Sequence, residues 1–248
     1  MNKKFAFTFA EGATHVAMPP VFSKAGFTLA EVLITLGVIG VVAAITIPEL
    51  MTAYKAHQLR SQFLKSYSVV QQVFKQMESE DIAIEPSAYT GVYGPQVLLY
   101  KEFKKFLTGY TDCGTWSVKS YPCANVNKLN YKTFNKKSVV SRYYFDDGQL
   151  ALPDGTLLIF EQGAATDYIW VFVDINGYKN PPNVWGYDLF TFEFLDGELR
   201  TMGDKQTTYN DLLKYCDIKS DDAKNGIACA YRAKTESDYF KWVIKNVK

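Results

Sequence analysis

The sequence predicts an α+β protein in which one long N-terminal helix, membrane-spanning in its first half, packs on an antiparallel sheet of about four strands. Three observations lead there. Residues 27–47 form a 21-residue apolar run. Helical apolar spacing then continues to about residue 78, and from residue 139 onward short β-rich runs are separated by turn residues. The chain has 248 residues, 48% hydrophobic and 21% charged, enough for one membrane helix plus one compact domain.

The apolar run is broken only by Thr28, Glu31, Thr35 and Thr46. At about 1.5 Å per residue it matches a hydrocarbon core about 30 Å thick. Its single carboxylate, Glu31, lies near its start, where an unpartnered acid in lipid is costly. A secretory signal peptide carries its cleavage site after the apolar region; here Lys24 and Gly26 come before it. Lys3, Lys4 and Lys24 precede the span while Lys55, Arg60 and Lys65 follow it, so charge alone orients it weakly.

The stretch Lys24-Ala25-Gly26-Phe27-Thr28-Leu29-Ala30-Glu31 resembles the precursor signature of type IV pilins and type II secretion pseudopilins. The resemblance covers about the first fifth of the chain. It implies a leader over residues 1–26, cut between Gly26 and Phe27 by a prepilin peptidase that also methylates the new Phe27 amine. It implies that Glu31 pairs with the terminal amine of a neighbouring subunit during filament assembly. Pro48 fits it as the bend just past the membrane half, where a backbone hydrogen bond is lost. The expected partners are the peptidase, other pilin or pseudopilin subunits, an inner-membrane assembly platform and membrane lipid. The expected location is the inner membrane, single-pass, with the C-terminal domain in the periplasm or at the cell surface. A near copy of the motif, Ala6-Phe7-Thr8-Phe9-Ala10-Glu11, lacks the preceding glycine and is followed by Gly12, Pro19 and Pro20, so processing is expected only at the second copy.

Beyond Pro48, Leu59, Phe63, Tyr67, Val70, Phe74 and Met77 recur every three or four residues. They predict an amphipathic continuation of the helix to residue 78 whose stripe needs a sheet to cover it. Residues 79–138 read as an irregular region with Pro86, Gly91, Gly94 and Pro95 and a short helix over 97–107; the globular domain is assigned to 79–248. Residues 149–152 and 156–161 flank Pro153-Asp154-Gly155 and predict a hairpin. Residues 168–175 suit a central strand. Residues 189–195 place Phe190, Phe192 and Phe194 on one face and Thr191 and Glu193 on the other, and Asp196-Gly197 turns the chain into 198–202.

The four cysteines fall as two local pairs, Cys113 with Cys123 and Cys216 with Cys229, and predict two disulfides in an oxidising compartment. Four cysteines allow three connectivities, and the spacing does not choose among them. Cys-x2-Cys spacing and a nearby histidine, the marks of a zinc site, are missing.

One loop, from Asp174-Ile175-Asn176-Gly177 to Trp185-Gly186-Tyr187-Asp188, resembles a loop of many pilin-like proteins, which in some major pseudopilins binds calcium. Two readings stay open. Asp174, Asn176 and Asp188 offer hard oxygen ligands suited to calcium; equally, Asn, Asp, Pro and Gly at these positions make a turn whose side chains bond their own backbone. No cofactor is otherwise required.

The signs of catalysis are few. His15 lies in the expected leader and His57 on the helix; Asp146, Asp147 and Glu161 can be drawn as a carboxylate group, but Asp146-Asp147-Gly148 reads first as a turn. The net charge is +1, and no basic cluster beyond Lys136, Lys137 and Arg142 stands out, so no nucleic-acid partner is predicted. The leading expectation is a structural subunit of a type IV filament system; the alternative is a permanently tethered binding or adhesion module with a disulfide-stapled, tyrosine-rich extracytoplasmic domain.

Overall fold

The computed structural model describes residues 26–89, 99–162 and 168–247. The leader up to residue 25, with the first motif copy and His15, and the turn residues Gly91, Gly94 and Pro95 lie outside them. The chain divides into two units, Met1–Ile47 and Pro48–Lys248.

Helix α1 runs over Leu29–Ser79 with Pro48 inside it. In the first unit, the apolar side chains 29–47 are exposed, Ala43 alone being half-buried. In the second unit, the same helix buries Leu59, Phe63, Val70, Phe74 and Met77, the expected stripe, with Ser66 and Val73 beside them. Tyr67 is half-buried, and its hydroxyl donates to the Leu199 carbonyl at 2.8 Å.

That stripe lies on an antiparallel meander of six strands in consecutive order: β1 Thr111–Gly114, β2 Gln149–Ala151, β3 Leu157–Gln162, β4 Ile169–Asp174, β5 Leu189–Leu195 and β6 Glu198–Thr201. Residues predicted to alternate do so. Phe190, Phe192 and Phe194 stand opposite Val173, Val171 and Ile169 and face α1. Phe63 meets Phe190 and Phe192 edge-on with centroids 4.7 and 5.8 Å apart, and Phe74 stacks on Phe194 at 4.5 Å. The expected turns hold both hairpins. Leu152 donates to the Thr156 carbonyl across Pro153-Asp154-Gly155. Asp196 and Gly197, at φ +53° and +75°, make the two-residue loop between β5 and β6 that needs left-handed backbone at both positions.

Three parts of the fold differ from the sequence expectation. The sheet has six strands rather than about four. Its extra edge, β1, carries no apolar alternation; it is held by β2 and by the Cys113–Cys123 bond. The helix expected over 97–107 is shorter: α2 covers Pro86–Tyr89, α3 covers Leu99–Phe103, and a 3-10 turn follows over Lys104–Phe106. The C-terminal stretch carries α4 Leu212–Tyr215, α5 Cys229–Thr235 and α6 Tyr239–Asn246, unassigned from sequence. Phe240 of α6 joins Phe63 and Phe190, with centroids 5.9 and 5.8 Å away.

The second sheet face is covered as well, so β3 and β4 are buried throughout. Trp170, Phe172, Trp185, Tyr144 and Tyr209 form an aromatic layer there. The polar residues of β5 are therefore buried and bonded: Trp185 Nε1 donates to Thr191 Oγ1 at 2.8 Å and Trp170 Nε1 to Glu193 Oε1 at 2.9 Å. Thr208 donates to Glu193 through its backbone N–H and its hydroxyl, leaving no bare carboxylate among the rings.

Candidate functional site

The residues singled out by the sequence fall in separate places. Gly26 and Phe27 lie in exposed, non-helical backbone directly before α1, and the space around Gly26 is open to 4 Å. Exposed irregular chain is what a peptidase needs to reach a scissile bond. The helix starts immediately after, because Thr28 and Glu31 cap it reciprocally. Glu31 N–H donates to Thr28 Oγ1 at 3.3 Å, while Thr28 N–H and its hydroxyl each donate to Glu31 Oε2 at 2.8 Å. This is a capping box, Thr-x-x-Glu, which satisfies donors at the helix start that have no partner within the helix. Thr28 holds the head of the helix together with Glu31, and the Thr-x-x-Glu pattern, with the two residues three apart, is its signal in the sequence.

Behind that cap, α1 is long and apolar enough to cross a membrane. Leu33, Ile34, Leu36, Val38, Ile39, Val41, Val42 and Ile45 are all exposed on it. An uncovered surface of this size is a place where lipid or another protein belongs. Pro48 follows at the end of the apolar run; having no N–H, it cannot bond the carbonyl four residues back.

In the second unit, disulfides join Cys113 to Cys123 and Cys216 to Cys229. The second lies against the Asp174 to Asp188 loop: a Cβ at Gly186, where φ is +84°, would come within 2.8 Å of Cys229 Sγ. Asp174 and Asp188, at the two ends of that loop, are completely buried. Asp174 Oδ2 accepts from the Tyr131 hydroxyl at 2.7 Å and Oδ1 from the N–H groups of Gly177 and Asn176 at 2.8 and 3.3 Å. Asp188 Oδ1 and Oδ2 accept from the N–H groups of Val184 and Asn183 at 2.7 and 2.9 Å. Burial foremost raises both carboxyl pKa values above the ordinary aspartate range, and for Asp174 the charge of Asp188 adds to it. Asn176 Nδ2 donates to the Asn180 carbonyl at 2.8 Å.

All four carboxylate oxygens already accept N–H or O–H donors within the chain, while Asn176 Oδ1 and Asn183 Oδ1 are buried without a hydrogen-bond partner. Among the described residues no group of three or more His, Cys, Asp and Glu side chains could hold a metal. The bonds that the two carboxylates make fit the other reading, a turn organised by side chains that bond their own backbone.

Glu161, directly opposite Trp170 on β3, is 9% exposed, and its Oε2 has no hydrogen-bond partner. Burial first, and then the charges of Asp147 and Asp146, push its carboxyl up to about 8. Asp146 is raised to about 6 by burial and by Asp147. Asp147 Oδ2 accepts from the Gln162 N–H, so this group belongs to the turn and strand architecture. His57 is exposed on α1.

Geometry and comparison agree on where the chain's defining feature lies. The model of the prokaryotic N-terminal methylation motif matches residues 22–47, which is the type IV pilin and pseudopilin signature. The motif supports a type IV pilin-like protein, a prepilin peptidase substrate of a class whose members are structural filament subunits. No curated protein and no solved structure matches the chain.

Proposed function

We propose that this chain is a structural subunit of a type IV filament system, of the type II secretion or type IV pilus kind. In this reading it is held in the inner membrane by residues 27–47, with the remainder in the periplasm or at the cell surface. It is cut between Gly26 and Phe27, methylated on the Phe27 amine, and drawn by an assembly platform into a fibre through its helix. The observation that carries the reading is an exposed apolar helix, headed by one acid, immediately after an accessible Gly-Phe bond.

The chemistry is assembly rather than turnover. In lipid, Glu31 needs a partner. Thr28 supplies hydrogen bonds to Glu31 within the chain, but no cation. A neighbour's Phe27 ammonium would supply the opposite charge, and only a neighbour in the right register could do so. Two disulfides suit an oxidising compartment for the second unit.

Intact-mass and N-terminal peptide analysis of protein purified from membranes, with and without a co-expressed prepilin peptidase, tests this. A chain beginning at N-methylated Phe27 only with the peptidase is the expected result. An intact Met1 start in both samples would overturn it in favour of a permanently tethered module.

A further inference from the structure

A cavity of about 500 Å³ opens on the second unit. Four segments wall it: 109–111, 120–128, the end of β2 with the β2–β3 turn, and 177–179. Its walls are fixed from within. The Cys113–Cys123 disulfide ties the second segment to β1. The Tyr178 hydroxyl donates to the Lys128 carbonyl at 2.9 Å and accepts from the Asn130 N–H at 3.0 Å, joining the second segment to the fourth. Gly177, at φ +79°, lies so close to the β2–β3 turn that a Cβ there would come within 2.4 Å of the Gly155 carbonyl oxygen. A groove held this way is formed before any ligand arrives.

The groups left facing the groove are of one kind. Lys128 and Lys179 are both exposed and line it, and no acidic residue does. Among the described residues neither ammonium takes part in a salt bridge. The two acids that adjoin lining residues, Asp154 and Asp112, are committed to Lys65 at 2.8 Å and to Lys104 at 2.6 Å. Tyr121 presents its ring 70% exposed, with Lys179 Nζ 5.1 Å from the centroid. A largely exposed aromatic ring with one ammonium over it and a second lining the same groove attracts a flat apolar surface and an anion at once.

From this arrangement we infer that the groove is a binding site for an acidic sugar, whose ring stacks its C–H face on Tyr121 while its carboxylate meets Lys128 and Lys179. A pyranose uronate carries both features in one rigid ring, whereas an acidic peptide side chain has a carboxylate but no flat C–H face. The volume accommodates a short oligosaccharide. The site goes beyond the filament reading and stands whether or not the chain is processed at Gly26.

The test is isothermal titration of the full chain in detergent micelles with trigalacturonate, maltotriose and a hexaglutamate peptide. Trigalacturonate should bind, and maltotriose and the peptide should bind roughly tenfold more weakly or worse. Tyr121→Ala and the double variant Lys128→Gln/Lys179→Gln should each weaken trigalacturonate by roughly tenfold at unchanged unfolding temperature, since all three side chains are exposed. Failure of trigalacturonate to bind at millimolar concentration, equal binding of maltotriose or of the peptide, or full binding by the variants would each overturn the assignment.

Discussion

Glu161 is a buried acid that burial and two neighbouring aspartates hold neutral at mildly acidic pH. Its pKa rises from an ordinary 4.5 to about 8, so the folded chain binds its proton more tightly than the unfolded chain does. The stability tied to that proton is fully present below about 4.5 and is lost as pH rises through about 8. The unfolding temperature should therefore fall between pH 5 and pH 8, with a free-energy change on the order of a few kcal/mol. Glu161→Gln, which keeps the shape and cannot ionise, should make the fall shallower, the remainder coming from Asp174, Asp188 and Asp146, whose pKa values burial also raises; parallel curves for the two proteins would refute the assignment. Asp174 has the opposite character, an acid with every oxygen used. Asp174→Ala strands the Tyr131 hydroxyl and two N–H groups in the core. It should cost roughly 2–5 kcal/mol in chemical denaturation. Millimolar calcium should leave the wild-type midpoint where it was, and a calcium-dependent rise would restore the cation reading of Asp174, Asn176 and Asp188.

Helix α1 is one element with two environments. Phe63 is fully buried among Phe190, Phe192 and Phe240, whereas Leu33 is 61% exposed. Phe63→Ala should lower stability in micelles by about 3–5 kcal/mol, and Leu33→Ala should leave it unchanged. Comparable losses from both would contradict the division at Ile47. Helix α1 and strand β5 were legible in the sequence because each has a strong period, 3.6 along α1 and 2 along the Phe190, Phe192, Phe194 row, β4 from its apolar run, and β2, β3 and β6 from the turns at Pro153-Asp154-Gly155 and Asp196-Gly197. Strand β1 was not, since Thr111 to Gly114 has no alternating pattern. The helices α4, α5 and α6, of 4, 7 and 8 residues, are too short to show a period and too short to form alone; packing and the Cys216–Cys229 bond hold them.

For the whole molecule, the proposed cycle depends on Glu31 after processing rather than during it. Glu31→Ala should be cut and methylated normally yet enter filaments poorly, read by shearing filaments from cells and comparing the sheared and membrane fractions. Wild-type incorporation of this variant would rule out the role given to the acid. The two disulfides close loops with sequence separations of 10 and 13 residues. Each is worth roughly 3 kcal/mol on the chain-entropy model. Reduction should accordingly lower the unfolding temperature of the second unit while leaving the N-terminal processing pattern intact.

The sequence by itself determined the accessible Gly26 and Phe27 bond, the span that follows and the local turns such as Asp196-Gly197. These depend on residues close along the chain: an apolar length, a capping pair three residues apart, a left-handed dipeptide. Tertiary structure alone decided what the polar residues of the sheet do. Glu193, Asp174 and Asp188 are ordinary acids in the sequence, and Glu193 stands on the face that alternation sets apart from the core. All three become buried structural groups because a second layer, assembled from distant segments, closes over that face and brings Trp170, Thr208, Tyr131 and loop N–H groups to meet them. The same convergence of separated segments makes the Tyr121 groove, which no single stretch of the chain encodes.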